Sequence, residues 1–129
     1  MQPIKTYIVE DSPRIRESLI ATLEELAPVK VVGTAEDEST ALQWMKLPDK
    51  LCDLMIIDIF LKHGSGLGVL RALNGLARPP HLVVLSNYAS YEIRQKCLSL
   101  GADRVFDKST EIDALILYCT ALAAQLKGL

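Results

Sequence analysis

Short apolar runs alternate with longer amphipathic segments through the whole sequence. Five of the runs are rich in Ile, Val and Leu and are predicted to be β-strands: Ile4 to Val9, Val29 to Thr34, Leu54 to Ile57, His81 to Leu85 and Arg104 to Phe106. The third run is almost continuously apolar, which is typical of a central strand that is covered on both faces.

The segments after the strands carry apolar residues at helical spacing. Ser12 and Pro13 predict the start of the first helix, because a serine hydroxyl caps free amides and proline suits the first helical position. The other predicted starts are Asp37, the glycine-bearing loop 62–66, Ser90, and Ser109 or Thr110. The predicted ends are Pro28, Pro48, Arg78-Pro79-Pro80, Gly101 and a point near Leu126.

This alternation amounts to five β-α units in succession. Each crossover helix must pack back on the sheet, so the strands run parallel and helices cover both faces. The predicted fold class is therefore α/β, a doubly wound five-stranded parallel sheet with five helices. The sequence has 129 residues and no linker or repeat, so residues 1–129 are predicted to form one domain.

Composition excludes several classes of protein. The net charge is -2 and the basic residues are scattered, which argues against direct nucleic-acid binding. No apolar stretch is long enough for a signal peptide or a membrane span. The three cysteines form no metal or redox motif, so we expect packing residues in a cytoplasmic protein.

Polar residues stand at the carboxyl ends of the predicted strands, where ligands bind in open α/β sheets. Glu10 and Asp11 follow the first strand, Asp58 the third, Ser86 the fourth and Lys108 the fifth. Taken singly, each has an ordinary structural explanation, such as a helix cap, a turn or a surface ion pair. A chance meeting of all five at one sheet edge is improbable, which favours a functional site.

These residue types suit phosphoryl chemistry. Three neighbouring carboxylates repel one another, so protons or a cation must lie among them, and hard oxygen ligands suit Mg²⁺. A carboxylate can attack phosphorus, while a metal, an ammonium and a hydroxyl stabilise the transferred group. Asp58 is the predicted nucleophile because it follows the central strand.

Five motifs make the chain resemble the receiver domain of bacterial two-component response regulators: IVEDS, LMIID, SGLGVL, VVLS and RVFDKS. They span nearly the whole chain. The resemblance implies a flavodoxin-like fold with strand order 2-1-3-4-5. It also implies signal transduction, in which a partner histidine kinase or a phosphotransfer protein phosphorylates the domain in the presence of Mg²⁺.

The same resemblance implies a functional role for each site residue. Asp58 is the implied phosphoacceptor, Lys108 binds the phosphoryl group, and Ser86 and Phe106 form a switch pair. The implied metal ligands are Asp11, Asp58, the backbone carbonyl of Phe60, and Glu10 through water. Phosphorylation would draw Ser86 and Lys108 inward and change the surface of the fourth helix, fifth strand and fifth helix.

Three positions depart from the commonest receiver pattern. Ser109 follows Lys108 where a proline is usual, often after a cis peptide, which costs about 3 kcal/mol before any other residue. Asn87 stands where a small residue is usual, and Phe60 lies two residues past Asp58. We hypothesise that Phe60 and Asn87 restrict access to the phosphoryl group and slow its loss.

The last predicted helix is apolar on two faces. Leu117, Ala121 and Ala124 lie opposite its core stripe, where charged residues are usual. Small residues are tolerated at exposed positions, but an apolar outer face also marks partner surfaces. Receivers commonly pair through the fourth helix, fifth strand and fifth helix, so we predict a symmetric homodimer or a docked partner there.

Three other functions fit parts of the pattern. A Mg²⁺-dependent phosphatase of the haloacid-dehalogenase type also uses an aspartate nucleophile, but Phe60 occupies the place of its second acid. A flavin or nucleotide binder needs a phosphate-cradling loop after the first strand, whereas Gly64 to Gly68 follows the third. The last alternative is a docking module that works without phosphorylation.

The chain suits a stand-alone receiver and a receiver cut from a longer regulator equally well. An output domain, often DNA-binding in this family, could follow it. The chain itself has no groove-reading element, so we predict no direct DNA contact. It would catalyse only its own phosphorylation and dephosphorylation, so we predict no enzymatic turnover of an external substrate.

Overall fold

The structure, a computed structural model, describes residues 2–47 and 52–127. Within these ranges strands and helices alternate as β1 (Ile4–Val9), α1 (Pro13–Leu26), β2 (Val29–Ala35), α2 (Glu38–Met45), β3 (Leu54–Ile57), α3 (Gly66–Asn74), β4 (His81–Ser86), α4 (Tyr91–Ser99), β5 (Arg104–Asp107) and α5 (Ile112–Lys127). Each strand lies within one residue of its predicted bounds. Among the described helices, none combines the length and the apolar character needed to cross a bilayer.

The strands form one parallel sheet in the order β2-β1-β3-β4-β5. The order confirms the one implied by the resemblance to receiver domains. The chain moves outward from β1 to β2 and then returns past β1 to β3, so the direction of winding reverses beside β1. The carboxyl ends of β1 and β3 therefore flank the crevice at which such sheets bind ligands.

Helices cover both faces of the sheet. Ile8, Ile56 and Leu85 belong to the core under α1 and α5, whereas the neighbouring Met55 and Val84 belong to the core under α2, α3 and α4. Successive side chains of a strand point to opposite faces, so a strand covered on both sides is apolar throughout. All four residues of β3 are buried, as its continuous apolar run predicts.

Three predicted helix starts are confirmed by capping hydrogen bonds. The side chains of Ser12, Asp37 and Ser90 accept hydrogen bonds from the backbone N–H three residues later, at 3.3, 2.8 and 3.2 Å. Pro13 occupies the first position of α1. These caps orient each helix as it leaves the carboxyl edge of the sheet.

Two predicted boundaries are wrong. The third helix ends at Asn74, where Gly75 donates to the carbonyl of Ala72, and not at Arg78-Pro79-Pro80. The fifth helix begins at Ile112, because the amides of Ser109 and Thr110 donate to Asp107 Oδ1 and form a turn instead of a cap. The predicted stop at Pro48 lies outside the described residues, and α2 ends at Met45.

A stacked aromatic pair fastens α2 to β1. The rings of Tyr7 and Trp44 lie 4.1 Å apart between centroids, and Tyr7 is buried. Gly33 on β2 lies beside this pair, and a Cβ there would be 2.7 Å from the Tyr7 ring and 3.3 Å from Trp44 Nε1. The absent side chain at position 33 is therefore what leaves room for the stack.

We expect Gly33→Ala to lower the free energy of unfolding by about 1–3 kcal/mol, because overpacking a rigid core forces its rings apart. Urea denaturation followed by the fluorescence of Trp44, the single tryptophan, measures this loss. Gly75→Ala is the control, since a Cβ there would be 3.5 Å from the Ala72 carbonyl oxygen. Equal stability for the Gly33→Ala and Gly75→Ala variants would contradict the packing argument.

Candidate functional site

The carboxyl ends of three strands bring the predicted acids and the lysine together. Glu10 and Asp11 follow β1, Asp58 follows β3 and Lys108 follows β5. One carboxylate oxygen from each of the three acids lies within 4.8 Å of the other two. The sheet edge thus forms one acidic site, which contains a single lysine among its four charged groups.

Lys108 bridges two of the acids. Its Nζ donates one hydrogen bond to Glu10 Oε1 and another, of 3.0 Å, to Asp58 Oδ2. Glu10 is 2% exposed and Asp58 7% exposed, so both carboxylates have lost most of their water. A buried charge needs such a partner, and one ammonium offsets only one of the three carboxylates. The ionised site keeps an excess of negative charge.

Burial and hydrogen bonding shift the pKa of the two bonded groups. Burial raises the pKa of the Glu10 carboxyl, against the lowering effect of its hydrogen bonds with Lys108 and the Ser12 amide. Burial works to lower the pKa of Lys108, but its contacts with Glu10 and Asp58 outweigh that effect and raise it. Lys108 therefore stays an ammonium at neutral pH.

Backbone amides hold the carboxylates in position. The donors come from the two loops that follow β1 and β3, and the hydrogen bonds are Ser12 N to Glu10 Oε2 (3.1 Å), Lys62 N to Asp11 Oδ2 (2.9 Å) and Phe60 N to Asp58 Oδ1 (3.3 Å). The loop after β3 therefore contacts both Asp58 and Asp11. Its conformation decides how the acids face one another.

A cleft of about 200 Å³ opens over these groups. Phe60 and Asn87 both line it, together with Tyr88. Phe60 is 49% exposed, and its ring meets that of Tyr88 edge-on with centroids 5.4 Å apart. The two rings join the loop after β3 to the loop after β4 beside Asp58. Sequence reasoning missed Tyr88, which is an exposed residue of a turn and has no motif of its own.

Ser86 lies at the end of β4 but is fully buried. Its Oγ accepts a hydrogen bond of 3.1 Å from the Tyr88 amide, and its carbonyl accepts one of 3.0 Å from the Lys108 amide. Phe106, the other predicted switch residue, is also buried. The bond between Lys108 and Ser109 is trans, since no cis peptide occurs among the described residues.

The donor atoms of the site fit a hard divalent cation. All three neighbouring acids offer oxygen, and the excess negative charge favours a cation among them. Mg²⁺ binds through one or two carboxylates while keeping several waters, and the cleft leaves room for water. The residues present therefore fit the metal that the resemblance implies.

The glycine-rich segment after β3 is a packed turn and not an open cradle for phosphate. Gly66 donates a hydrogen bond of 3.0 Å to the Ile59 carbonyl, and the Glu38 side chain covers Gly64 and Gly68. A nucleotide-binding loop instead presents free amides to its ligand. The geometry of this turn does not support the flavin or nucleotide alternative.

Comparisons with known proteins agree on one family. The family model "Response regulator receiver domain" matches residues 6–120. Protein-glutamate methylesterase/protein-glutamine glutaminase 5 of Myxococcus xanthus (strain DK1622) is 33% identical over 119 residues, which are 92% of this chain and 34% of that protein. The chain spans about a third of the length of the curated relatives it matches.

Two solved structures are also similar. The signal receiver domain of NarL from Mycobacterium tuberculosis is 26% identical with a TM-score of 0.80, covering 94% of this chain and 98% of that one. The RcsB response regulator of Salmonella typhimurium is 27% identical with a TM-score of 0.75, covering 99% of this chain and 62% of that one. The family match, the fold and the acidic site at the strand ends lead to one conclusion: the chain belongs to the response regulator receiver domains, which work with histidine kinases or phosphotransfer proteins in two-component signalling.

Proposed function

We propose that Asp58 accepts a phosphoryl group from a partner histidine kinase or a phosphotransfer protein, with Mg²⁺ as cofactor. The observation that carries the proposal is the setting of the Asp58 carboxylate, which lines the cleft, contacts Lys108 and lies beside Glu10 and Asp11. Residues 1–129 act as one receiver domain in this proposal.

The metal would be held by Asp11, Asp58 and the backbone carbonyl of Phe60, with Glu10 acting through water. When bound, Mg²⁺ offsets the charge of the carboxylates and of the transferring phosphoryl group. The Lys108 ammonium shares the second task, because its Nζ is 3.0 Å from Asp58 Oδ2 and within reach of a group attached to that carboxylate.

The transfer itself requires little of the protein beyond position and charge. A carboxylate oxygen of Asp58 attacks the phosphorus of a phosphohistidine, and the phosphorus–nitrogen bond breaks as the imidazole nitrogen leaves with the electron pair. Attack of water on the aspartyl phosphate later returns the free carboxylate and inorganic phosphate. The chain changes only its own state, and no external substrate is turned over.

Ser86 and Phe106 would carry the change to the surface. The Ser86 hydroxyl accepts a hydrogen bond from the Tyr88 amide, and its own O–H can donate to a phosphoryl oxygen. The carbonyl of Ser86 accepts from Lys108 N, which joins the ends of β4 and β5. Phe106 packs edge-on against Tyr118 of α5 at 6.1 Å between centroids, so movement of Phe106 also displaces α5.

A single guanidinium joins the parts of this surface. Arg94 of α4 donates to the Ala89 carbonyl in the loop after β4 and to the Val105 carbonyl in β5, at 2.9 and 2.8 Å. Its third contact is an ion pair of 2.6 Å with Glu111, just before α5. A shift of the loop after β4 therefore reaches α4, β5 and α5 together.

A groove of about 420 Å³ between α1 and α5 offers a docking place for the phosphodonor. Asn87 and Lys108 line the end of the groove at the acidic site. Much of its wall is formed by four apolar side chains, those of Ile15, Leu19, Leu85 and Ile112. An amphipathic helix that carries the phosphohistidine would bury its apolar face there and bring the imidazole to Asp58.

The outer face of α5 is the proposed dimer surface. Leu117 is 71% exposed, and Ala121 and Ala124 are exposed beside it.

In a longer regulator, the phosphorylation-dependent change in the surface of α4, β5 and α5 would control an attached output domain. That domain would be enzymatic if it is like that of the methylesterase relative, or DNA-interacting if it is like that of RcsB.

Incubation with acetyl phosphate and Mg²⁺ should add one phosphoryl group to the wild type and none to the Asp58→Asn variant. The amide cannot replace the carboxylate as nucleophile, and chelation of the metal should suppress the adduct in the wild type. Intact-protein mass measures all three results. An adduct that persists in the Asp58→Asn variant would contradict the assignment of Asp58.

Phe60→Ala and Asn87→Ala should each speed loss of phosphate, because both residues line the cleft that water must enter. We expect about a tenfold increase for Phe60→Ala, which corresponds to about 1.4 kcal/mol in the barrier. The rate is read from the decay of the phosphorylated mass. Leu76→Ala, at another exposed apolar residue, is the control, and unchanged decay in both cleft variants would refute the access hypothesis.

Leu117→Glu should weaken phosphorylation-dependent dimerisation by about tenfold or more, since a charge would be buried against its symmetry mate. Sedimentation with and without a phosphoryl analogue measures the association. Leu26→Glu places the same charge at a 58% exposed leucine at the end of α1, and serves as the matched control. Equal masses for the wild type and the Leu117→Glu variant under both conditions would exclude a dimer that forms through this face of α5.

A further inference from the structure

A carboxylate outside the acidic site holds the loop that follows β3. Glu38, the first residue of α2, accepts a hydrogen bond of 2.9 Å from the Ser65 amide through Oε1. Its own backbone N–H donates to the His63 carbonyl at 3.4 Å. Residue 38 therefore contacts this loop through both its backbone and its side chain.

Two glycines accommodate the Glu38 side chain. A Cβ at Gly64 would lie 2.5 Å from Glu38 Cβ, and a Cβ at Gly68 would lie 2.4 Å from Glu38 Oε2. Gly64 also has a φ of +82°, a conformation that other residues rarely adopt. The carboxylate thus fits a space that exists only because positions 64 and 68 lack side chains.

The contact with Ser65 is connected to the acidic site through the backbone. Ser65 pairs with Phe60 in an isolated antiparallel bridge, and the Phe60 amide donates to Asp58 Oδ1 at 3.3 Å. Between these two residues, the Lys62 amide donates to Asp11 Oδ2 at 2.9 Å. The loop that Glu38 fastens therefore orients two of the three acids and carries the Phe60 carbonyl.

We propose that Glu38 is a positioning residue for the acidic site: by anchoring Ser65 it fixes the loop between β3 and α3 in the conformation that binds the divalent cation and presents Asp58. The inference rests on the proposed phosphorylation of Asp58. Glu38 touches none of the reacting groups and acts only through the backbone of residues 59–65.

The test is a Mg²⁺ titration of the acetyl phosphate reaction, read by intact mass, together with Mg²⁺ binding in the absence of phosphodonor, read by amide resonances. For Glu38→Ala we expect the Mg²⁺ concentration for half-maximal reaction to rise about tenfold, the lower end of the range for residues that orient metal ligands. Glu38→Gln keeps the acceptor oxygen for the Ser65 amide and should restore the wild-type value.

Gly68→Ala perturbs the same contact from the other side, because its Cβ would displace the Glu38 carboxylate. We expect it to match Glu38→Ala, and the double variant to be no worse than either single variant, because the residues act through one contact. Glu92→Ala is the matched control, since Glu92 is an exposed acid in the first turn of α4.

Each outcome decides the proposal. The proposed role of Glu38 is refuted if Glu38→Ala and Gly68→Ala need no more Mg²⁺ than the Glu92→Ala control. It is also refuted if the increases caused by Glu38→Ala and Gly68→Ala add in the double variant. The proposal is supported if Gly68→Ala needs more Mg²⁺ than the wild type while the single variant Glu38→Gln keeps the wild-type requirement. This result is decisive even where Glu38→Ala fails to fold. A wild type that binds Mg²⁺ but gains no phosphoryl group would instead contradict the proposed function, while the amide resonances still report whether Glu38 controls metal binding.

Discussion

Two buried carboxylates, those of Glu10 and Asp58, depend on the ammonium of Lys108. Loss of that partner would leave uncompensated buried charge, which costs about 3–5 kcal/mol in measured cases. The lysine follows the edge strand β5, yet it reaches Asp58 after β3 and Glu10 after β1, residues 50 and 98 positions away. The contact therefore ties the carboxyl edge of the sheet together across β4. It still leaves the site with more negative than positive charge, so the arrangement that stabilises the fold also attracts a cation.

The two loops that border the cleft are fastened by side chains of different helices. Glu38 of α2 holds the loop after β3, which orients the acids, whereas Arg94 of α4 holds the loop after β4 and also contacts β5 and Glu111. The first loop is tied to α2, which packs on the opposite face of the sheet from α5. The second belongs to the surface that the proposed switch moves. In the proposed function, one helix therefore positions the groups that do the chemistry and another transmits the result.

Much of the fold follows from local patterns in the sequence. The β3 run is apolar throughout because both sheet faces are covered, and Ser12, Asp37 and Ser90 cap helices through contacts that span three residues. Local reasoning failed where two signals within the same short stretch competed. Ser109 carries a good capping hydroxyl, but Asp107 binds its amide and hydroxyl, so α5 begins only at Ile112. Similarly, Arg78-Pro79-Pro80 is a strong stop signal, but Gly75 already ends α3.

The sequence by itself determined the alternation of strands and helices and the set of polar residues at the strand ends, because parallel strands deliver their carboxyl ends to one edge whatever the details of packing. Only the tertiary structure decided which of these groups touch. The Phe60–Tyr88 ring contact and the Glu38–Ser65 hydrogen bond join segments 28 and 27 residues apart, and neither pair has a spacing that a helix or strand would enforce. Such contacts depend on how loops from different elements pack, and a linear pattern carries no record of that packing.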